Sequence, residues 1–163
     1  MKIEFLKFFV PLLMILPMQG QSIAPSSGKA LCSALTPADF IKVGVPVTRA
    51  GEPNLDNQAN AYCVYESKAG KVEFDIFFPA GSTSDEINAT ERTVIGEAGG
   101  GKSDVVKLTG ADHARFVPVP GNGALSIVVR RGSAVFNVDV PQSANARQQL
   151  TELAQIVLTR LKP

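Results

Sequence analysis

The sequence has no tryptophan, one histidine, two cysteines and two tyrosines among its 163 residues. A single histidine, His113, excludes metal sites built from several imidazoles. Cys32 and Cys63 are not spaced as CxxC and have no histidine cluster beside them, which argues against a zinc or dithiol redox site. No GxSxG nucleophile elbow is present. Charge of one sign is also lacking: 16 Lys and Arg stand against 15 Asp and Glu, a formal net charge of +1. Nothing in that balance steers the chain to nucleic acid or to an anionic membrane surface. Beyond the first 22 residues no apolar run approaches the length of a membrane-spanning helix.

The N-terminus is where an apolar run does occur. Lys2 and Lys7 flank the start of Phe8 to Met18, which is too short to span a bilayer and is interrupted by Pro11 and Pro17. This pattern predicts a Sec-type bacterial signal peptide over residues 1–22, with cleavage after Ser22 fitting best and cleavage after Gly20 or Ala24 as alternatives. Removing Lys2, Lys7 and Glu4 leaves 14 charges of each sign. Residues 23–31 read as a disordered leader, and 32–163 as a single α+β domain of a length that can bury a core. The expected location is the periplasm or outside the cell, with no membrane span after cleavage.

The clearest structural signal is near the C-terminus. Leu125, Ile127, Val129 and Ala134, Phe136, Val138, Val140 alternate at period two, which predicts a hairpin of half-buried strands. A turn at Arg131-Gly132 would set Val129 opposite Ala134 and Ile127 opposite Phe136. Pro141 ends the second strand. Ser143 is then placed to cap an amphipathic helix carrying Ala146, Leu150, Leu153, Ala154, Val157 and Leu161. An earlier copy of this unit matches Gly70 to Gly132, Phe74 to Phe136 and Pro79 to Pro141, and points to an internal hairpin-helix duplication. There, a turn at Ala69-Gly70 would pair Tyr65 with Phe74 and Cys63 with Ile76. The following helix runs from about Ser84 to Gly96, with Thr83 and Glu86 spaced as a capping box.

Thr36-Pro37-Ala38-Asp39 reads as the start of another helix, with Leu35 and Phe40 as a hydrophobic staple and Gly44 as its stop. Val45 to Arg49, Asp104 to Thr109 and His113 to Val119 read as strands. Pro118 and Pro120 place the last of these at a sheet edge. The order is α-β3-α-β4-α: a twisted antiparallel sheet of about seven strands with three helices. Two cysteines in an exported chain predict a disulfide between Cys32 and Cys63, worth about 3–4 kcal/mol for a loop of this length.

Several segments could carry chemistry. Gly96 to Ser103, GEAGGGKS, satisfies the P-loop expression letter for letter. However, a helix precedes it and a strand follows, the reverse of the order that cradles phosphate. His113 has Asp112 as its neighbour, but adjacent strand residues point to opposite faces, so Asp112 is a poor orienting partner. Glu73, Asp75 and Asp139 share the second sheet face with Asn137 and Glu66. That face also carries Tyr62, Val64, Phe77, Val128 and Val135. Such a mixture fits either a binding surface or a face covered by a helix. Tyr62, Asp75, Phe77, Asn137 and Asp139 are the candidate binding residues. No catalytic residue, metal ligand or cofactor is assigned.

Cys32-Ser33-Ala34-Leu35-Thr36 before a short helix, and Ala61-Tyr62-Cys63-Val64-Tyr65 opening a hairpin, resemble a loose group of small exported bacterial proteins of unknown function. Many of these are lipoproteins, similar in outline to the PsbP-like α/β sandwich. The resemblance implies an antiparallel sheet with helices packed on it and brings no catalytic residues. This chain departs from the lipoprotein members in lacking a cysteine placed for lipidation. The function expected is a non-enzymatic binding or accessory module for a protein or small-molecule ligand. The alternatives are a small periplasmic hydrolase using His113 or the sheet-face carboxylates, and a structural envelope protein without a ligand.

Overall fold

The structure, a computed structural model, describes residues 31–50, 60–78, 83–99, 102–121 and 123–161. The expected signal peptide and the loop at 51–59 lie outside these residues. So does the expected leader except Leu31, which is buried in the core. The described residues form one seven-stranded antiparallel sheet and three helices in the expected order. The strands are β1 (Val47–Ala50), β2 (Asn60–Ser67), β3 (Val72–Phe77), β4 (Asp104–Val105), β5 (His113–Val119), β6 (Ala124–Arg131) and β7 (Ala134–Pro141). The helices are α1 (Pro37–Lys42), α2 (Ser84–Glu97) and α3 (Ala146–Arg160). Across the sheet the strands follow the order β1-β2-β3-β7-β6-β5-β4, with no closure into a barrel. The two long hairpins therefore lie side by side at its centre, joined by β3 against β7.

Both hairpin registers differ from the sequence expectation by two residues, in opposite senses. Arg131 belongs to the ladder opposite Ala134, so the turn is Gly132-Ser133 and Val129 faces Phe136. Gly132 takes a φ of 57°, the left-handed conformation that the first position of such a turn needs. In the first hairpin Tyr65 faces Val72 and Cys63 faces Phe74, because the chain turns at Lys68-Ala69, where the Gly70 amide donates to the Ser67 carbonyl, rather than at Ala69-Gly70. A shift of two leaves every side chain on its original face, so the division into core and second face survives both corrections. Two further expectations are corrected. β4 is only two residues long and takes the edge position, which puts β5 one strand inside the sheet. Helix α3 starts after Asn145 with no side-chain cap, and Ser143 contributes only its carbonyl to the turn before it.

The strand pattern explains the layers. On one face Cys63, Tyr65, Phe74, Ile76, Ile127, Val129, Phe136 and Val138 are all buried. Leu150, Leu153, Ala154 and Val157 of α3 pack on them, as does Phe40 of α1. On the other face Phe77, Val117, Val128 and Val135 form a smaller cluster with Ile87, Val94 and Ala98 of α2. The local order hairpin-helix thus occurs twice, but α2 and α3 lie on opposite sides of the sheet. β6 and β7 carry apolar residues on both faces and are buried along nearly their whole length.

The N-terminal segment is fastened to the core face at several points. Cys32 and Cys63 form the expected disulfide, with Cα atoms 5.6 Å apart. The Tyr65 hydroxyl donates to the Leu35 carbonyl at 2.7 Å, and its ring packs on Phe40. Arg160, at the end of α3, makes a two-pronged contact with Asp39 at 2.6 and 2.9 Å. Asp39 also accepts from the Thr36 amide and hydroxyl, a contact that the reading of a helix start at Thr36 did not name.

Candidate functional site

Helix α2 covers the apolar part of the second sheet face. Helix α2 is launched by its capping box. Thr83 Oγ1 accepts from the Glu86 amide, and the Thr83 amide and hydroxyl donate to the Glu86 carboxylate. The helix then crosses β6 and β7. Phe77, one of the candidate binding residues, lies beneath it, only 8% exposed. Tyr62 stands at the border, its ring edge-on to Phe77 at 5.5 Å. The polar residues of β3 and β7 lie outside the apolar cluster that α2 covers.

The ladder brings those polar residues together. Tyr62, Asp75 and Asn137 are direct cross-strand neighbours on β2, β3 and β7. One step along, Val64, Glu73, Asp139 and Ser126 form the adjacent row from β2 to β6. Asn137 Nδ2 donates to Asp75 Oδ2 and to Asp139 Oδ1, each at 3.2 Å. Four of the five candidate residues therefore stand at one place, and the fifth supports it from under the helix. Glu73 and Ser126 complete the group. Ser126 lies between Leu125 and Ile127 of the core face, so alternation puts it on this face, and the register sets it opposite Asp139.

The electrostatics of this group are unusual for a sheet surface. Lys71 pairs with Glu73. No ion pair reaches Asp75 or Asp139 among the described residues, and both are half-buried. Burial, together with the negative charges of Glu73 and Asp139, pushes the Asp75 carboxyl up to about 7. Burial also raises Asp139, partly offset by the nearby Ser126 hydroxyl and by Asn137. The Ser126 hydroxyl is completely buried and, although close to Asp139, makes no hydrogen bond of good geometry. Asn137 thus splits one amide group between two carboxylates whose remaining lone pairs are unmet by any basic side chain.

His113 occupies a separate place near the β4 edge. Its Nδ1 lies 3.1 Å from Glu91 of α2, a partner that strand alternation alone could not name. Arg130 joins them, donating to Asn88 Oδ1 at 2.6 Å and to Glu91 at 3.4 Å. Asp112 turns away, as expected, and accepts from the Gly132 amide at 2.6 Å. A pocket of about 380 Å³ adjoins His113, lined also by Lys107, Asp112 and Arg115. Among the described residues no serine is hydrogen-bonded to His113, whose ring is oriented by Glu91. In the GEAGGGKS segment, α2 precedes the loop and β4 follows it. Gly99 comes so close to the Pro118 carbonyl that a Cβ there would meet the oxygen at 2.3 Å, which makes this glycine a packing requirement. Residues 100 and 101 lie outside the described residues.

No family model matches the sequence, and no curated protein matches it either. Among solved structures the chain is similar to a GTP binding regulator from Thermotoga maritima. The identity is 13%, the TM-score is 0.43, and the match covers 77% of this chain and 90% of that one.

Proposed function

We propose that this chain is a non-enzymatic binding or accessory module of the periplasm or the secreted space, and that it takes its ligand on the polar half of the second sheet face. The disulfide fits an oxidising location outside the cytoplasm. The observation that carries the binding reading is the pair Asp75 and Asp139, half-buried, bridged by the Asn137 amide and with no ion pair of their own among the described residues. Folding does not call for this arrangement. Half-buried carboxylates that lack cationic partners cost stability, and groups held in that way are concentrated at functional sites. Phe77 and Tyr62 give the site an apolar wall.

The test is native mass spectrometry of the protein recovered from its own host's envelope, beside an Asp75→Asn, Asp139→Asn double variant recovered in the same way. A non-covalent adduct on the unmodified protein that is absent from the variant is the expected result. An adduct of equal occupancy on both places the ligand elsewhere and overturns the site. A bare mass from both favours the structural envelope protein.

A further inference from the structure

We propose that the cavity beside His113, at the β4 edge of the sheet, is a binding site for a small organic carboxylate with a short aliphatic body. It is a separate place from the carboxylate group around Asn137, since β6 lies between β7 and β5, and it does not rest on that group. The cavity holds about 380 Å³, within the range of small-molecule sites. Its wall is the chain between Val105 and Arg115. That chain leaves β4, turns where the Ala111 amide donates to the Leu108 carbonyl, and returns along β5.

Arg115 on this wall is half-buried, and among the described residues its guanidinium donates only to the Ser103 hydroxyl, at 3.3 Å. Arg130, Arg147 and Arg160, by contrast, each reach a carboxylate. The three acidic groups nearest to Arg115 along the fold are all engaged elsewhere. Asp104 stands opposite Phe116, so alternation puts it on the other face from Arg115, where it pairs with Arg147 over the Phe116 ring. Glu91 is taken by His113 and Arg130. Asp112 accepts from the Gly132 amide. Lys107 lines the same cavity and has no ion pair among the described residues. A half-buried guanidinium without a counterion costs stability, and an anion entering the cavity supplies one.

The rest of the wall defines the body of the ligand. Val105, Leu108 and Ala111 line the cavity with apolar surface. Val105 is 71% exposed, and Ile41 on α1 is the only other large hydrophobic residue so open among the described residues. An uncovered apolar side chain thus stands beside two cations that lack counterions. The charge balance selects a monoanion. With His113 paired to Glu91, Lys107 and Arg115 against Asp112 leave one net positive charge, which a carboxylate neutralises and a phosphate dianion exceeds. The guanidinium fork also matches the two oxygens of a carboxylate.

The test is a two-dimensional amide NMR titration of the oxidised protein at neutral pH and low salt with four probes of equal chain length: hexanoate, hexyl phosphate, hexylamine and hexanol. Saturable shifts with hexanoate, centred on residues 105–115, are expected, with weaker binding of the phosphate and none of the amine. Affinity for hexanoate should fall about tenfold in Arg115→Gln and in Lys107→Gln, the loss of one charge-assisted contact. It should stay unchanged in Lys68→Gln, which removes an exposed cation from the β2–β3 turn. Melting curves run alongside guard against loss of fold, and Lys107, exposed on the surface, can be replaced with little risk to it. Hexanoate shifts that persist undiminished in both site variants overturn the proposal, as do shifts centred on another part of the chain. Equal binding of hexanol or hexylamine would show an apolar cleft that does not recognise an anion. Tighter binding of hexyl phosphate than of hexanoate overturns the carboxylate, and no response to any probe overturns the site.

Discussion

Asp75 and Asp39 titrate in opposite directions, and together they shape the acid side of the stability profile. Asp75 is raised from about 3.8 to about 7, so between those values the folded protein holds a proton that the unfolded chain has released. Stability must therefore fall as pH rises from about 4 to about 7. Asp139, raised by burial as well, adds to the same decline. Asp39 is lowered to about 2, first by its hydrogen bond with Arg160, so its contribution is complete above about 4 and is lost as pH drops towards 2. Urea unfolding from pH 3 to 8 should show a maximum near pH 4 to 5. Asp75→Asn should flatten the neutral limb and add on the order of 1–3 kcal/mol at pH 7.5, since the amide keeps an acceptor for Asn137 without the charge. A variant less stable at that pH would show that the ionised carboxylate stabilises the fold. Arg160→Met should cost about 1–2 kcal/mol at pH 7, discounted from a fully buried pair because the arginine is 40% exposed. That loss should shrink as pH falls towards 2 and Asp39 takes up its proton, leaving the contact of Arg160 with the Ala34 carbonyl.

At the scale of elements, α2 covers the apolar part of the second face, and its hold on the sheet is narrow. Only Ile87 and Val94 of its 14 residues are buried, against six in α3. The capping box at Thr83 is therefore a large share of what keeps it formed. Thr83→Ala should cost about 1 kcal/mol. In hydrogen exchange it should free the amides of α2 well before those of α3, and uniform protection of both helices would contradict this. The capping box, the strand faces and the cysteine pairing were legible in the sequence because each depends on local spacing or on alternation. The hairpin registers were not, because moving a turn by one residue shifts the pairing by two and fits the same alternation equally well. Nor was the crossing of α2 legible. Phe77, Val128 and Val135 announced a covered face, and Asp75, Asn137 and Asp139 announced an open one. Only the tertiary path of the helix separates them. Glu91 beside His113 was unreadable for the same reason, since two elements remote in sequence place the pair.

For the molecule as a whole, the disulfide divides the fold into a part that depends on it and a part that does not. The central strands β3, β7 and β6 are clamped between α2 and α3 and make no use of Cys32. Residues 31–42, by contrast, reach the sheet through the Cys32–Cys63 bond, the Tyr65 hydroxyl and the Asp39–Arg160 contact. Replacing both cysteines by serine opens a loop of 31 residues in the unfolded chain, a loss of about 3–4 kcal/mol in the chain-entropy model. Urea unfolding should shift by that amount while remaining a single transition, because Leu31, Leu35 and Phe40 still bury their side chains in the shared core. Amide exchange should rise first in α1 and β1, with little change in β7. The carboxylate group around Asn137 lies on the other face of the sheet, so its amide shifts in the double variant should match those of the oxidised protein. A variant that loses those shifts together with α1 would show that the two faces fold as one unit and that the site depends on the disulfide.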